Sequence, residues 1–507
     1  MKKNNIINSI KILGLISVTL IYSCNKLPEK YTETDKLPQI FPDYTDVVIP
    51  PNIAPLNFNI EEQGKSYVID IYGKNGEKIV LKQNSPSVSI PIDKWKKITG
   101  LNKGSELYFD IYILNDKNWV KYRTITNNIA EEPIDSYLAY RLINAVYIFW
   151  RKMGIYQRNI ENFDETPIFE NTSSDFGCVN CHSFSMNNPE KMSMHFRKAY
   201  PGTVILDDNI IRKINTKTDF TMSACVYPSW HPDGNHIAYS VNLINQSFTS
   251  DKTKLDEVVD KASDIVVYNV KTNTLTTSPY ISTKDRENIP AWSPDGKWLY
   301  YITAPENKKT IESWYDVKYS LMRIPYDVEN NEWGIPDTVL SSKKTGLSIT
   351  FPRISPDGKY VMFCMIDHGY FSIYDVKSDL YILDLEKNEY KKVEVSGPYN
   401  ESYHSWSNSG RWFVFASKRL DNVYSRPFIS YFDKDGIAHK AFVLPQKDPL
   451  FYKAFLKNYN IPELIYGKVP LNARQMRDIV HKEAEYINFD PSVNTDALSG
   501  ATMMNVH

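Results

Sequence analysis

A turn-and-strand unit recurs along the second half of the chain. Pro228-Ser-Trp230-His-Pro-Asp-Gly234, Pro290-Ala-Trp292-Ser-Pro-Asp-Gly296, Pro352-Arg-Ile354-Ser-Pro-Asp-Gly358 and His404-Ser-Trp406-Ser-Asn-Ser-Gly410 align position by position, and each runs into an apolar strand (HIAYS, WLYYI, YVMFCM, WFVFAS). The anchors Trp230, Trp292, Ile354 and Trp406 are 62, 62 and 52 residues apart. Pro, Asp and Gly in sequence make a tight reversal, so each unit opens as a β-hairpin. The runs DIVVYNVKT from Asp264 and DLYILDLE from Asp379 supply outer strands. Four strands per unit at this period is the pattern of a β-propeller blade.

A fifth unit lies upstream. His182-Ser183-Phe184-Ser185 matches His404-Ser405-Trp406-Ser407; Asn188-Pro189-Glu190 stands at the turn and Met192 to Phe196 at the strand, with 46 residues from Phe184 to Trp230. The position of His182 is held elsewhere by Pro228, Pro290, Pro352 and His404, just before the innermost strand and near the channel rim. The motif resembles the TolB-like propeller family from about Cys181 to Pro445. The expected fold is mainly β: a propeller of five or six blades over 178–445. The 35 Tyr, 10 Trp and 22 Phe agree, since aromatic residues favour strands.

Five cysteines constrain the chemistry. Cys178-Val179-Asn180-Cys181-His182 has the spacing of c-type haem attachment. Two thiols three residues apart reach the two vinyl groups of one haem edge, and the His that follows becomes the proximal iron ligand. A zinc site would want a second Cys or His pair, and a redox disulfide a βαβ pattern; neither is visible. Cys225 and Cys364 read as buried thiols, with a disulfide between them as the alternative. For the distal iron position His195 is favoured over Met186, Met192, Met194 and His404. His195 aligns with the aromatic positions Tyr239, Tyr300, Phe363 and Phe415, and the two methionines beside it point to the other sheet face. Arg197 is a candidate partner for a haem propionate, against a solvated surface role. The segment from the run PIDSYLAYRLINAVYIFWR through Cys178 to Thr203 is similar to haem-motif propeller lipoproteins of Bacteroidetes.

Residues 1–23 read as a lipoprotein signal peptide: a basic start, the apolar run Ile12 to Tyr22, and Leu20-Ile21-Tyr22-Ser23-Cys24, which resembles the bacterial lipobox. That resemblance implies lipid attachment at Cys24, with 24–45 as a polar tether. Residues 46–130 alternate short strands (YVIDIYG, KIVLKQ, SVSIPI, ELYFDIYIL, WVKYRTITN) with Gly, Asn and Lys turns, an immunoglobulin-like β-sandwich on strand count alone. Residues 131–177 are expected to be a helical linker, with Tyr140, Ile143, Tyr147 and Trp150 forming the stripe of a helix over Pro133–Arg151. Residues 446–507 are expected to be a helical tail with a helix over 472–486. It ends in Asp496-Ala-Leu-Ser499-Gly500-Ala501-Thr502, which resembles the flavinylation motif of quinone-reductase and Rnf electron-transport subunits. That resemblance implies covalent FMN on the Thr502 hydroxyl.

The formal net charge is −1, so nothing global favours nucleic acid. No Gly-x-Ser-x-Gly or His-Glu-x-x-His string is present, and the reading is an electron carrier rather than a catalyst. The expected protein is a cell-envelope lipoprotein, facing the periplasm or the outer-membrane surface. It would carry one covalent haem c, meet the membrane through its lipid, and pass electrons to a redox partner protein. The alternative is a propeller scaffold or sensor for a protein, glycan or small ligand, with the haem structural; peroxidase or small-gas chemistry at a pentacoordinate haem is a third class.

Overall fold

The computed structural model describes residues 26–144, 152–247, 257–306, 315–375 and 377–498, so Cys24 and Thr502 lie outside the described residues. Within them, six antiparallel sheets form the blades of a propeller, and consecutive innermost strands touch all the way round the ring. Blade 1 begins with Cys178–Ser185 and Asn188–Arg197, blade 2 with Val226–Trp230 and His236–Ser247, and blade 3 with Arg286–Trp292 and Trp298–Ala304. Blades 4 and 5 begin with Ser348–Ile354 and Tyr360–Ile366, and with Glu401–Trp406 and Trp412–Ser417. The repeated turn is built as its residues require. Ser293 Oγ donates to Asp295 Oδ1 at 2.5 Å and accepts the amide of Trp298 at 3.0 Å, and Gly296 takes the left-handed φ of 73°.

The sixth blade is made from both ends of the chain. Its innermost strand is Asn458–Ile465; its outer strands are Tyr137–Ile143, Gly154–Asn159 and Glu165–Glu170. This corrects the helical linker expected over 131–177 and the propeller boundary at 445. The run Tyr137–Ile143 is buried on both faces, and a strand buried on both faces reads as a continuous apolar run that periodicity does not separate from a helix. Tyr147 and Trp150 lie outside the described residues.

The C-terminal segment is not a free helical tail either. The helix is shorter than expected, Ala473–Val480, and starts from a capping box between Asn472 and Gln475. Beyond it, Glu485–Tyr486 pairs in parallel with Ile214–Asn215 on the outer edge of blade 1, and Asn488–Phe489 with Thr274–Leu275 on the outer edge of blade 2. Ile487 between them is buried in the blade core. These short strands cover two sheet edges that would otherwise be open.

The N-terminal region folds as two sheets, one of seven strands and one of three, around a shared core that includes Phe58, Ile69, Phe109 and Trp95. Trp95 comes from a helix, Ile92–Leu101, that the strand pattern did not anticipate. Residues 32–41 are not a free tether: Thr32–Glu33 pairs with Val120–Lys121, and Ile40–Phe41 with Asn59–Ile60. The same apolar core runs on into blade 5 through Trp406, Trp412 and Phe428. Trp412 Nε1 donates to the Glu132 carbonyl at 3.0 Å, and Asn57 Nδ2 to the Lys447 carbonyl at 3.0 Å. No helix of the described residues is long and apolar enough to cross a membrane.

Leu464 holds in blade 6 the position that Trp230, Trp292 and Trp406 hold in theirs, and it is fully buried. Leu464→Ala is expected to cost about 2–5 kcal/mol, as for a core leucine. Urea unfolding would read this as a lower midpoint with an unchanged slope; an unchanged midpoint would mean that the last strand does not hold the ring closed.

Candidate functional site

The innermost strand of every blade carries a β-bulge, and one residue of each bulge has a left-handed backbone: Cys181 (φ 50°), Tyr227 (52°), Ile289 (49°), Phe351 (51°), Tyr403 (46°) and Ile461 (51°). The strand registers skip at these points, between Asn180 and Ser183, Val226 and Ser229, Asn288 and Ala291, Thr350 and Arg353, and Ser402 and Ser405. In blade 6 the skip lies between Asn460 and Glu463. The residue after each left-handed position is His182, Pro228, Pro290, Pro352, His404 or Pro462. A bulge leaves an N–H out of the ladder, so proline is tolerated there at no cost in pairing. The Cys-His end of the haem motif thus replaces an aromatic-proline or Ile-proline pair, and the bulge aims it at the axis.

These layers line a cavity of about 180 Å³. One end carries the hairpin turns, represented in its wall by Met186, Asn187, Pro294 and Pro356. At the other end Tyr227, Phe351 and Tyr403 pack against Tyr319, Tyr370 and Phe371. Toward the turns the wall is aromatic: Phe184, Trp230, Trp292 and Trp406. Trp230 Nε1 donates to the Ser183 carbonyl at 3.2 Å and Trp406 Nε1 to the Arg353 carbonyl at 3.1 Å, each tying a blade to its predecessor.

Cys181, His182 and His404 line this cavity together; Cys178, His195, Met192 and Met194 do not. His182 is 2% exposed; neither ring nitrogen makes a hydrogen bond of ordinary geometry, and its nearest backbone contact is with Ile461. Burial, with the Arg141 guanidinium adding to it, pushes its imidazolium down to about 3, so the ring is neutral at physiological pH. A buried imidazole whose nitrogens lack well-formed hydrogen bonds costs stability unless something binds it. A thiol beside a neutral imidazole on a cavity wall is the donor set that a c-type haem uses. Cys178 fits less directly: it is packed among the apolar residues of blades 6 and 1, including Ile143, Phe169 and Val179.

The distal candidates separate clearly. His195 lies on the second strand, off the cavity wall, with its Nδ1 3.1 Å from Thr203 Oγ1. The registers Asn180↔His195 and Val226↔Ser240 also put Met194, not His195, at the aromatic position of Tyr239. The cause is the blade 1 hairpin, which turns on Met186 and Asn187, both at positive φ, instead of on Pro-Asp-Gly. His404 lines the cavity, but its Nε2 lies 2.9 Å from the Met362 carbonyl. Met186 lines the cavity from a left-handed turn position that methionine rarely takes. Arg197 pairs in register with Cys178 on the second strand and is not part of the wall.

The charged residues of the wall are Arg353 and Glu463. Glu463 accepts the Phe184 amide at 3.0 Å; burial pushes its carboxyl up to about 7 against that bond and the Arg353 charge. Neither residue was marked by sequence, because both sit in positions that other blades fill with Ser or Ala.

A second cluster was also missed. His231, Asp233 and His236 bring three ligand-type atoms within 4.8 Å of one another, in the turn where other blades have Ser293, Ser355 and Ser407. Its signal was the string His-Pro-Asp-Gly-Asn-His, read only as a turn. The hydrogen bonds argue against a vacant metal site. Asn269 Oδ1 accepts the amides of Lys271 and Thr272, so its Nδ2 donates to His236 Nε2 at 2.9 Å. His236 therefore carries its proton on Nδ1 and gives it to Asp233 Oδ2 at 2.7 Å. Burial raises the Asp233 carboxyl, but the two imidazoles and the Asn235 amide outweigh it and hold it well below the usual range.

A comparison with known protein families and with curated proteins finds no match. Among solved structures the chain is similar to the tricorn protease (12% identity, 77% of this chain and 37% of that one, TM-score 0.34). It is also similar to the Dos1 propeller (13%, 54% and 66%, TM-score 0.32) and to an oligogalacturonate lyase in complex with manganese (12%, 61% and 74%, TM-score 0.33). These likenesses carry nothing about its chemistry.

The cysteines differ enough to be told apart in solution. Burial pushes the thiols of Cys225 and Cys364 up to about 12, and both are fully enclosed. In chain produced without haem maturation, iodoacetamide is expected to label Cys181 at least tenfold faster than Cys225 or Cys364, which should react only on unfolding. Peptide mass spectrometry over a time course checks this, and equal rates would contradict a cavity-lining Cys181.

Proposed function

We propose that the chain is a membrane-anchored c-type cytochrome-like propeller protein of the cell envelope, working in electron transfer. The observation that carries this reading is His182, whose buried ring nitrogens make no hydrogen bond of ordinary geometry and which stands beside Cys181 on the cavity wall. Thioethers at Cys181 and Cys178 would hold the haem edge, and His182 would supply the proximal nitrogen. A haem held there exchanges one electron at a time. The chain's own residues do the rest. The bulge turns Cys181 and His182 to the axis, burial keeps the imidazole neutral and able to ligate, and the Tyr227–Tyr370–Tyr319 end keeps water from entering behind it. For the sixth position, the candidates on the cavity wall are Met186 and His404.

Cys24 would carry the lipid that ties the protein to the membrane, with a redox partner protein as its other contact. Thr502 would carry FMN. The chain is held on the propeller's outer wall as far as Ser492, whose Oγ accepts from Asn331 Nδ2 at 3.3 Å.

A second reading, a scaffold or sensor whose cavity takes a ligand without covalent attachment, is favoured by one observation: Cys178 lies in the apolar core and off the cavity.

Two experiments test the proposal. Exported with a c-type maturation system, the protein should carry one haem that survives denaturing electrophoresis. The Cys178→Ser/Cys181→Ser double variant should lose it completely, and Cys178→Ser alone should keep a single thioether. Covalent haem in the double variant would refute the attachment. Exported with a flavin transferase, the chain should gain the mass of one FMN, and Thr502→Ala should not; haem alone in the intact-mass spectrum would refute the flavin site.

A further inference from the structure

Two residues past each left-handed position the six blades carry Ser183, Ser229, Ala291, Arg353, Ser405 and Glu463, and all but Ala291 line the cavity. Four of the six are small, which leaves this layer roomy. The other two carry opposite charges and stand on blades 4 and 6, with only Ser405 of blade 5 between them. The guanidinium and the carboxyl act on each other through space, but each is hydrogen-bonded elsewhere. Arg353 Nη1 donates to the Pro352 carbonyl at 2.9 Å, and Glu463 Oε1 accepts the Phe184 amide at 3.0 Å. A guanidinium has five N–H donors and a carboxylate two oxygens, so both keep bonding capacity to spare. Opposite charges held apart in a desolvated layer forgo most of the attraction that contact would give them. A ligand that carries both charges and lies between the two would restore it at both ends.

We infer that the cavity takes a small α-amino acid as its zwitterion, with the carboxylate on Arg353 and the ammonium on Glu463. This deepens the second reading above, a cavity that takes a ligand without covalent attachment, and rests on it. The size agrees. An apolar cavity of about 150 Å³ takes one benzene ring, and about 180 Å³ is room for an amino acid with a short side chain. A planar guanidinium meets a carboxylate as a two-bond fork, and an ammonium is a compact point charge that one carboxylate oxygen satisfies. Toward the turns, Phe184, Trp230 and Trp406 give the side chain an apolar surround.

The test uses the full chain produced without haem maturation. Titration calorimetry with L-alanine and with L-valine is expected to show one site with a Kd below about 1 mM. Propionate lacks the ammonium and ethylamine lacks the carboxylate, so each is expected to bind at least tenfold more weakly than L-alanine. Arg353→Gln and Glu463→Gln should each weaken L-alanine at least tenfold. Arg353→Gln should also bring L-alanine level with ethylamine, and Glu463→Gln should bring it level with propionate, which a merely loosened fold would not do. If a variant does not fold, the ligand series on the unaltered chain decides. Propionate or ethylamine binding as tightly as L-alanine overturns the inference and leaves a ligand cavity standing. So does binding of phenol, an uncharged ring, where neither amino acid binds. An exported chain fully loaded with covalent haem in this cavity overturns the inference and the second reading together.

Discussion

The hydrogen-bonded ladder between Asn458–Ile465 and Tyr137–Ile143 closes the ring, and the cavity exists only because the ring is closed. An open arc of blades would leave a sheet face of blade 1 and another of blade 5 in water, each rich in large apolar residues. Closure by strands from the two ends of a chain removes those faces, but it couples segments about 320 residues apart. Such a contact carries a loop-closure cost that grows only slowly with length, and the fully buried Leu138, Tyr140 and Leu464 repay it through packing. The N-terminal sheets reinforce the same seam, since their core continues into blade 5 and Glu132 bonds both Trp412 and Tyr431.

Within the ring, the bulge converts repetition into a site. A regular strand alternates its side chains between two sheet faces, and those faces are packed against neighbouring blades. One inserted residue at left-handed φ breaks the alternation and turns a side chain to the axis. Five blades spend that position on Tyr, Ile or Phe and so fill the channel end. Blade 1 spends it on Cys181, the smallest of the six, and follows it with an imidazole in place of a proline. The substitution removes volume from the wall and introduces a nucleophile and a ligand in one step. Aromatic walls and small residues at Ser183, Ser229 and Ser405 then leave room on the axis for a small occupant.

The propeller was legible because its signal is local and repeated: the Pro-Asp-Gly turns, the Trp anchors and the strands after them lie within about twenty residues of one another. The equivalence of His182 with Pro228, Pro290, Pro352 and His404 was legible for the same reason. The sixth blade was not, because its inner strand and outer strands are separated by the whole chain, and because Tyr137–Ile143 is apolar on both faces. The register of His195 is off by one because a turn at Asn188–Glu190 implies two extra residues in the hairpin, whereas it turns on Met186–Asn187 and adds one. Arg353 and Glu463 escaped notice since a charged residue in a strand has no meaning until the blades opposite and beside it are known.

The docked C-terminus changes how two cofactors on this chain would have to work together. A tail free from Ile487 onward would swing a flavin over the propeller face. Instead Glu485–Tyr486 and Asn488–Phe489 are fifth strands on blades 1 and 2, and Asn331 Nδ2 bonds Ser492 Oγ on the outside of blade 3. A fifth strand lies four strand spacings from the innermost one, about 19 Å at ~4.8 Å each. The axis that holds Cys181 and His182 and the perimeter that holds the tail are thus separated by the full width of a blade. Electrons entering at the perimeter would meet a partner protein there, and electrons leaving from the axis would do so at the turn end, where Met186, Pro294 and Pro356 rim the cavity.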